Sequence, residues 1–286
     1  MTTLGLMSDI HGNRTALEAV LADGANAGVE SWWALGDLAA IGPEPVATLE
    51  RLSNLADVRV TSGNTERYVL TRDRPPPSRD DVAARPELLD LMLIVEASFS
   101  WTRGALAVHG WLDWLANLPL ETRVALPDGT RLLGVHASPG RDDGDGITPH
   151  RPVPELRDAL AGADADIVCA GHTHQPTDRR VGGVRAVNLG SVGNPVTDDL
   201  RASYVVVHAD RHGHHVEHRR VAYDHDAFLE QVAHSGHPDV EHIASFQRGK
   251  QVRFPARRPG APDAGERTGA GATQSSSPSP ARPNFQ

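Results

Sequence analysis

Met7-Ser8-Asp9-Ile10-His11-Gly12-Asn13 lies close to the N-terminus, where the apolar run Leu4 to Met7 gives way to two side chains able to ligate a metal. In an extended segment residues i and i+2 share a face, so Asp9 and His11 project to the same side and one cation can take both. Gly12 allows a tight turn. Asn13 is a good N-cap for a segment whose apolar residues Ala16, Leu17, Val20 and Leu21 recur at helical spacing before Gly28. The stretch reads as a strand, a ligand-bearing turn and a helix.

An isolated Asp-x-His pair is most often two solvated polar residues, but here the arrangement recurs. Leu35-Gly36-Asp37 follows Trp32-Trp33-Ala34, and Ser62-Gly63-Asn64 follows Val58-Arg59-Val60. Gly134-Val135-His136 follows Thr130 to Leu133, and Gly171-His172-Thr173-His174 follows Ile167-Val168-Cys169-Ala170. In open α/β sheets the functional crevice lies outside the carboxyl ends of the strands, so these ends can converge on one place. The candidate ligands are Asp9, His11, Asp37, Asn64, His136, His172 and His174. Nitrogen and oxygen donors without thiolate suit divalent manganese, iron, zinc or similar first-row ions and exclude an iron–sulfur site.

Composition narrows the partners. A chain of 286 residues can bury a sizeable core, and alternating helix-like and strand-like segments favour one α/β domain with appendages. The formal charge of −9 comes without any long basic run, so nonspecific binding to nucleic acid or to acidic membranes has no electrostatic footing. The one cysteine, Cys169, sits inside an apolar strand and reads as core, so no intrachain disulfide forms. The N-terminus lacks the features of a signal peptide and no segment approaches the length needed to cross a bilayer, which makes a cytoplasmic protein the expectation.

Pro45, with Val46, Leu49, Leu52 and Leu55, predicts a second helix. Thr71 to Pro86, with Pro75-Pro76-Pro77, reads as a stiff exposed connection or part of a lid, and residues 71–118 as a helical insertion or lid. Leu88 to Phe99 is a helix apolar around too much of its circumference for one buried face; it is either a central core helix or the contact with another subunit of a homo-oligomer. Pro127-Asp128-Gly129 predicts a hairpin between Thr122–Leu126 and Thr130–Val135, and Pro152–Ala163 reads as a further helix. Asp142-Asp143-Gly144-Asp145-Gly146 fails the calcium-loop pattern, because Thr148 stands where that loop needs glycine, and reads as solvated. His208, His212, His214, His215 and His218 fall on or beside a late hairpin and read as an exposed polar strand face. Residues 1–254 form the expected domain. The segment 255–286 has almost no bulky apolar residue and is expected to be a disordered tail.

The motif order Asp-x-His, Gly-Asp, Gly-Asn, His, Gly-His-x-His resembles the calcineurin-like metallophosphoesterases over about Leu4 to Tyr204. The resemblance implies a four-layer α/β/β/α sandwich, two stacked mixed β-sheets flanked by helices. It also implies two divalent metal ions, one held by Asp9, His11, Asp37 and His174, the other by Asp37, Asn64, His136 and His172, with Asp37 bridging. Such a pair acidifies a shared water to a bridging hydroxide and clamps the oxygens of a small phosphate-ester substrate. Gly42-Pro43-Glu44-Pro45, Trp101-Thr102-Arg103 and Asn188-Leu189-Gly190-Ser191-Val192-Gly193 are similar to the small bacterial phosphodiesterase-like branch.

One position departs. Many relatives carry a histidine where this chain has Thr65, and that histidine is thought to protonate the leaving group; threonine cannot act as a general acid near neutral pH. The resulting expectation is a dimetal phosphoesterase acting on phosphodiesters or other esters with good leaving groups. The rivals are a phosphomonoesterase or protein phosphatase, and a non-catalytic protein-binding module on the same fold.

Overall fold

The computed structural model describes residues 1–247. The expected tail 255–286 lies outside them. In chain order the elements are β1 (Thr2–Met7), α1 (Arg14–Asn26), β2 (Ser31–Leu35), α2 (Pro45–Ser53), β3 (Val58–Thr61), α3 (Asn64–Leu70), α4 (Arg79–Ala84), α5 (Leu89–Val108) and α6 (Leu112–Ala116). They continue with β4 (Glu121–Ala125), β5 (Arg131–Val135), α7 (Val153–Ala159), β6 (Ile167–Ala170), β7 (Thr177–Val181), β8 (Val184–Asn188), β9 (Ala202–Asp210), β10 (Gly213–Val221), α8 (His225–His234) and α9 (Val240–Phe246).

Two mixed five-stranded sheets result, ordered β10-β9-β1-β2-β3 and β4-β5-β6-β8-β7. In the first, β1, β2 and β3 run parallel, while β9 pairs antiparallel with both β1 and β10. In the second, β5, β6 and β8 run parallel between two antiparallel edge strands. The strands' period of two explains the layering. Leu4, Leu6, Trp33 and Leu35 of the first sheet meet Leu132, Ile167, Cys169 and Val187 of the second in one buried cluster. Met7, Trp32, Ala34 and Val60 face the other way, against Leu17, Val20 and Leu21 of α1, Leu49 and Leu52 of α2 and Phe99 of α5. Leu133, Val135, Val168 and Ala170 likewise pack with Leu156 of α7. The α/β/β/α sandwich is therefore two sheets back to back with helices outside. Gly5 fits this packing by what it lacks, since a Cβ there would stand 2.5 Å from Cε3 of the Trp32 ring.

Several expectations change on contact with the fold. Thr71 to Pro86 is not a bare connection, because Ser78 and Asp81 form a reciprocal capping box that starts α4. The apolar helix runs well past Phe99 to Val108, so among the described residues one helix, Pro86–Val108, is long and apolar enough by composition to cross a bilayer. Its Val95, Phe99 and Leu106 are buried in the core, and Arg103 donates to the carbonyls of Val69 at 2.6 Å and Leu70 at 3.2 Å at the end of α3, which ties the helix to the protein. The helix expected at Pro152–Ala163 is confined to Val153–Ala159. Cys169 is buried, as its apolar neighbours imply.

Candidate metal centre

The candidate ligands leave their strands in a backbone conformation that L-residues rarely adopt. Asp9, His11, Asp37, His172 and His174 have φ of 57°, 50°, 55°, 66° and 55°. Left-handed backbone at a residue other than glycine costs on the order of 1 kcal/mol or more and persists only where the surroundings over-determine it. Here they do. Asp9 N–H donates to Gly36 O at 3.1 Å and His11 N–H to Asp37 O at 3.0 Å, so the turns after β1 and β2 brace each other. The turn after β6 is braced by Asn188, whose amide donates to Gly171 O at 2.6 Å and Ile147 O at 3.0 Å. The Asp9 carboxylate in turn accepts the His172 N–H at 2.9 Å.

The side chains meet in two groups. In the first, His174 Nε2 lies 3.0 Å from Asp9 Oδ1 and 3.2 Å from His11 Nε2, and Asp37 Oδ2 is 3.7 Å from His11 Nε2. In the second, Asn64 Oδ1 is 2.9 Å from His136 Nε2 and 2.8 Å from His172 Nδ1, and Asp37 Oδ1 is 3.3 Å from His136 Nε2. Asp37 faces both groups. All seven expected residues are thus brought together, drawn from both sheets.

The other nitrogen of each imidazole decides what these groups can hold. It meets a backbone carbonyl every time: His11 Nδ1 at Ala40 O (3.2 Å), His136 Nδ1 at Leu35 O (2.7 Å), His174 Nδ1 at Asn194 O (2.5 Å) and His172 Nε2 at Gly144 O (2.8 Å). A carbonyl only accepts, so that nitrogen carries the proton and the lone pair of its partner points inward. Neutral rings would then set lone pairs against carboxylate and amide oxygens about 3 Å apart, a repulsive arrangement unless a cation or extra protons sit among them. Bonds of about 2.0–2.2 Å from nitrogen or oxygen to a first-row ion require donors roughly this far apart. The donor set fits two divalent ions.

The charges of these buried groups depend on one another. Burial opposes the charge on Asp37, but His136 beside it outweighs burial and holds the carboxyl well below the usual range. Burial likewise works against a charged His136, and Asp37 overrides it, pushing that imidazole up to about 10. Burial pushes His11 down to about 4, whereas His174 is raised, its burial outweighed by Asp9. A cation binding here displaces protons.

Two features were not read from the sequence. Glu66, fully enclosed, accepts backbone N–H groups from Asp37 (2.7 Å), Leu38 (2.9 Å) and Gly63 (2.8 Å), tying the turn after β2 to the turn after β3. Burial first and Asp37 second push its carboxyl up to about 7. Its place at the third residue of α3, where a carboxylate caps the helix start, was the available signal. The acidic loop is the second and corrects the solvated reading. Arg67 Nε binds Asp142 at 2.8 Å and its Nη2 binds Asp143 at 3.0 Å, while the Tyr68 hydroxyl donates to Asp143 at 2.9 Å. The loop's Gly144 supplies the carbonyl that fixes His172. Of the late histidines, His214 and His218 are partly buried rather than exposed and join segments distant in sequence: His214 Nδ1 meets Asp128 at 2.7 Å and His218 Nε2 meets Asn188 O at 2.8 Å.

Thr65 sits beside Asn64 with its N–H on Asp37 Oδ1 at 2.9 Å, and its hydroxyl is buried with no hydrogen-bond partner. Gly63 leaves room for this crossing, since a Cβ there would stand 2.3 Å from Asp37 Oδ1.

The Calcineurin-like phosphoesterase superfamily domain matches residues 2–212. An uncharacterised protein of Methanocaldococcus jannaschii is 26% identical over 252 residues, covering 82% of this chain and 94% of its own length. Among solved structures, a metallophosphoesterase from Sphaerobacter thermophilus is 26% identical with a TM-score of 0.65, covering 87% of this chain and 99% of that one. A hypothetical protein from Pyrococcus horikoshii OT3 shares the fold at 22% identity and a TM-score of 0.70, covering 86% of this chain and 98% of its own.

Proposed function

Because the chain belongs to the calcineurin-like phosphoesterase superfamily, we propose that it is a dimetal phosphoesterase hydrolysing phosphodiesters or other phosphate esters with good leaving groups. The observation that carries this reading is the double convergence of inward lone pairs, with Asp37 Oδ2 directed to one group and Oδ1 to the other. Asp9, His11, Asp37 and His174 would hold one ion, and Asp37, Asn64, His136 and His172 the second. Bound there, two divalent cations supply charge neutralisation at a phosphate and activation of water.

The chain's own residues do the rest. Backbone carbonyls fix the four imidazole tautomers, so no ligand reorganises when the site fills. Glu66 holds the Asp37 turn against the Gly63 turn and so sets the position of the shared carboxylate. The Thr65 hydroxyl is buried and carries no titratable proton near neutral pH, so nothing at that position protonates a departing oxygen, and substrates whose leaving groups depart unaided are favoured.

The test is turnover of the manganese-loaded protein, then of protein loaded with other metals, on an aryl diester beside an aryl monoester. Cyclic and linear nucleotides and dinucleoside polyphosphates complete the panel. Diester turnover well above monoester turnover is expected. Dominant monoesterase activity would transfer the reading to a phosphomonoesterase, and two tightly bound ions without hydrolysis of any substrate would make the fold a binding module.

A further inference from the structure

Four polar groups close a ring of hydrogen bonds around the turn that follows β8. Gly193 O accepts Gln247 Nε2 at 2.8 Å and Asn13 Nδ2 at 3.2 Å. Asn13 Nδ2 also donates to the Tyr223 hydroxyl at 3.3 Å, and that hydroxyl donates to Gln247 Oε1 at 2.7 Å. All of these residues are buried. The ring closes in one direction only, because Gln247 turned over would set its oxygen against the Gly193 carbonyl, acceptor against acceptor. Tyr223 lies between β10 and α8, and Gln247 ends α9. Their segment supplies none of the seven candidate ligands and lies beyond residues 2–212, the span of the superfamily domain.

The turn carries no candidate ligand, yet it aims one. Asn194 O receives His174 Nδ1 at 2.5 Å, which leaves Nε2 of that ring 3.0 Å from Asp9 Oδ1 and 3.2 Å from His11 Nε2. The peptide that joins Gly193 to Asn194 is held at both ends, its oxygen by Gln247 and Asn13, its N–H by Ser191 Oγ at 2.8 Å. Gly193 N–H donates to Asp9 O at 3.0 Å, and a Cβ on Gly193 would stand 1.9 Å from Ile10 O, so this backbone lies directly on the ligand-bearing turn after β1. The segment that supplies Tyr223 and Gln247 is itself anchored. Phe228, Val232 and Ile243 are buried in one cluster with Ile10 and Val192, and Thr15 Oγ1 donates to Gln231 Oε1 at 3.0 Å.

We propose that Gln247, held by Tyr223, is a positioning residue for His174, so that the C-terminal segment sets the affinity of one of the two candidate ion sites. The proposal rests on the reading of His174 as a ligand. Without Gln247 the buried Gly193 carbonyl keeps only the longer bond from Asn13, and the peptide leading to Asn194 O loses its shorter restraint. The carbonyl that orients the imidazole is then no longer set before an ion arrives, and the group of Asp9, His11, Asp37 and His174 binds more weakly. The second group is independent of this turn, since Leu35 O and Gly144 O orient His136 and His172. A side chain that only ended α9 would need no donor aimed at a carbonyl 54 positions earlier.

Manganese(II) binding to the full-length protein, measured by competition with a chelator, tests this. Gln247→Met, similar in length but without the amide, should weaken one ion about tenfold, as loss of an outer partner of a metal-bound histidine does, and leave the other unchanged. Tyr223→Phe should weaken the same ion by less. In a His174→Ala background Gln247→Met should have no further effect on the ion that remains, because no imidazole is left to orient. A merely structural loss would weaken both ions and would persist in that background. Amide hydrogen exchange in the metal-free protein gives a second measurement: Val192 and Gly193, whose N–H groups donate to Ser8 O and Asp9 O, should exchange faster in both single variants. Wild-type affinities in Gln247→Met would overturn the proposal, as would equal weakening of both ions or unchanged exchange. Wild-type protein that binds no manganese would overturn the metal-centre reading and the proposal with it. If Gln247→Met does not fold, Tyr223→Phe decides by the same criteria.

Discussion

The carboxylate of Glu66 receives the backbone N–H of Asp37 at 2.7 Å, so the residue that faces both candidate ion sites is held from behind by a neighbour of another ligand, Asn64. With its contacts to Leu38 and Gly63, Glu66 satisfies three N–H groups that water cannot reach.

Glu66→Gln should therefore cost more than its small change in shape suggests. An amide presents N–H groups where one carboxylate oxygen accepted, leaving at least one buried donor unpaired at about 1–3 kcal/mol. A lower melting temperature and weaker metal retention are expected together, measured by calorimetry and by metal analysis after dialysis. Unchanged stability with full metal content would remove Glu66 from the support of Asp37.

Asp37→Ala should abolish retention of both ions, whereas His174→Ala should spare the second group. Elemental analysis of the purified variants reads the difference. Two ions retained by Asp37→Ala would show that this carboxylate is not shared.

Arg67→Ala should loosen the loop that fixes His172. Arg67 is buried, but Asp73 and Asp143 are exposed enough for water to compensate part of the loss, so the cost is about 1–3 kcal/mol. Arg67→Lys should rescue little, since one ammonium cannot reach Asp73, Asp142 and Asp143 in three directions. Hydrogen exchange at residues 142–146 should rise in both variants. Protection equal to wild type would show that the loop holds itself.

Stability should also fall on acidification for a reason outside the metal site. His237 accepts the Asp239 N–H on Nδ1 at 3.0 Å and meets Ser98 Oγ through Nε2 at 3.0 Å, and burial pushes its imidazole down. The unfolded chain then binds a proton that the folded one refuses, so stability is lost as pH drops below about 6.5 towards the depressed value. His242, also pushed down by burial, adds to the trend, and the carboxylate of Asp239 opposes it in both rings. The melting temperature of His237→Phe should depend less on pH between 7 and 5 than that of wild type. Parallel curves would count against this histidine.

Thr65→His should raise turnover of alkyl and ribose esters selectively, by up to roughly 10²-fold or more, and leave nitrophenyl esters little changed. Stopped assays on a series of leaving groups supply the comparison. Equal gains across the series would place the protonation step elsewhere.

What could be read in advance follows from what period-2 and period-3.6 patterns encode. Asp9, Asp37, Asn64, His136 and the His172/His174 pair stood at the ends of apolar strands, and a strand end is a local signal. Asn13 announced α1 in the same way, and its side chain accepts the Ala16 N–H at 2.9 Å. The helix α4 went unread because three prolines dominated its approach, although Ser78 and Asp81 carried a usable cap signature. Pairing across distance left no trace at all: Arg67 and Asp142 lie 75 positions apart, so the loop's role emerges only when the sheets close. Left-handed backbone at five ligand residues is also invisible locally, since only the opposing turns impose it.

The place of β1 has a consequence for how the protein comes into being. On one side it pairs with β2, where Leu4 faces Ser31, and on the other with β9, where Leu4 faces Val207. A ribosome releases the first partner, Ser31–Leu35, almost at once and the second, Ala202–Asp210, only late in the chain. Until β9 is made that edge of β1 has no mate, and Asp9 and His11 meet His174 only once the segment after β6 has been made. The mate of β1 and the last of the seven candidate ligands thus both arrive late in synthesis, so the first sheet and the candidate site close only after most of the chain has been made.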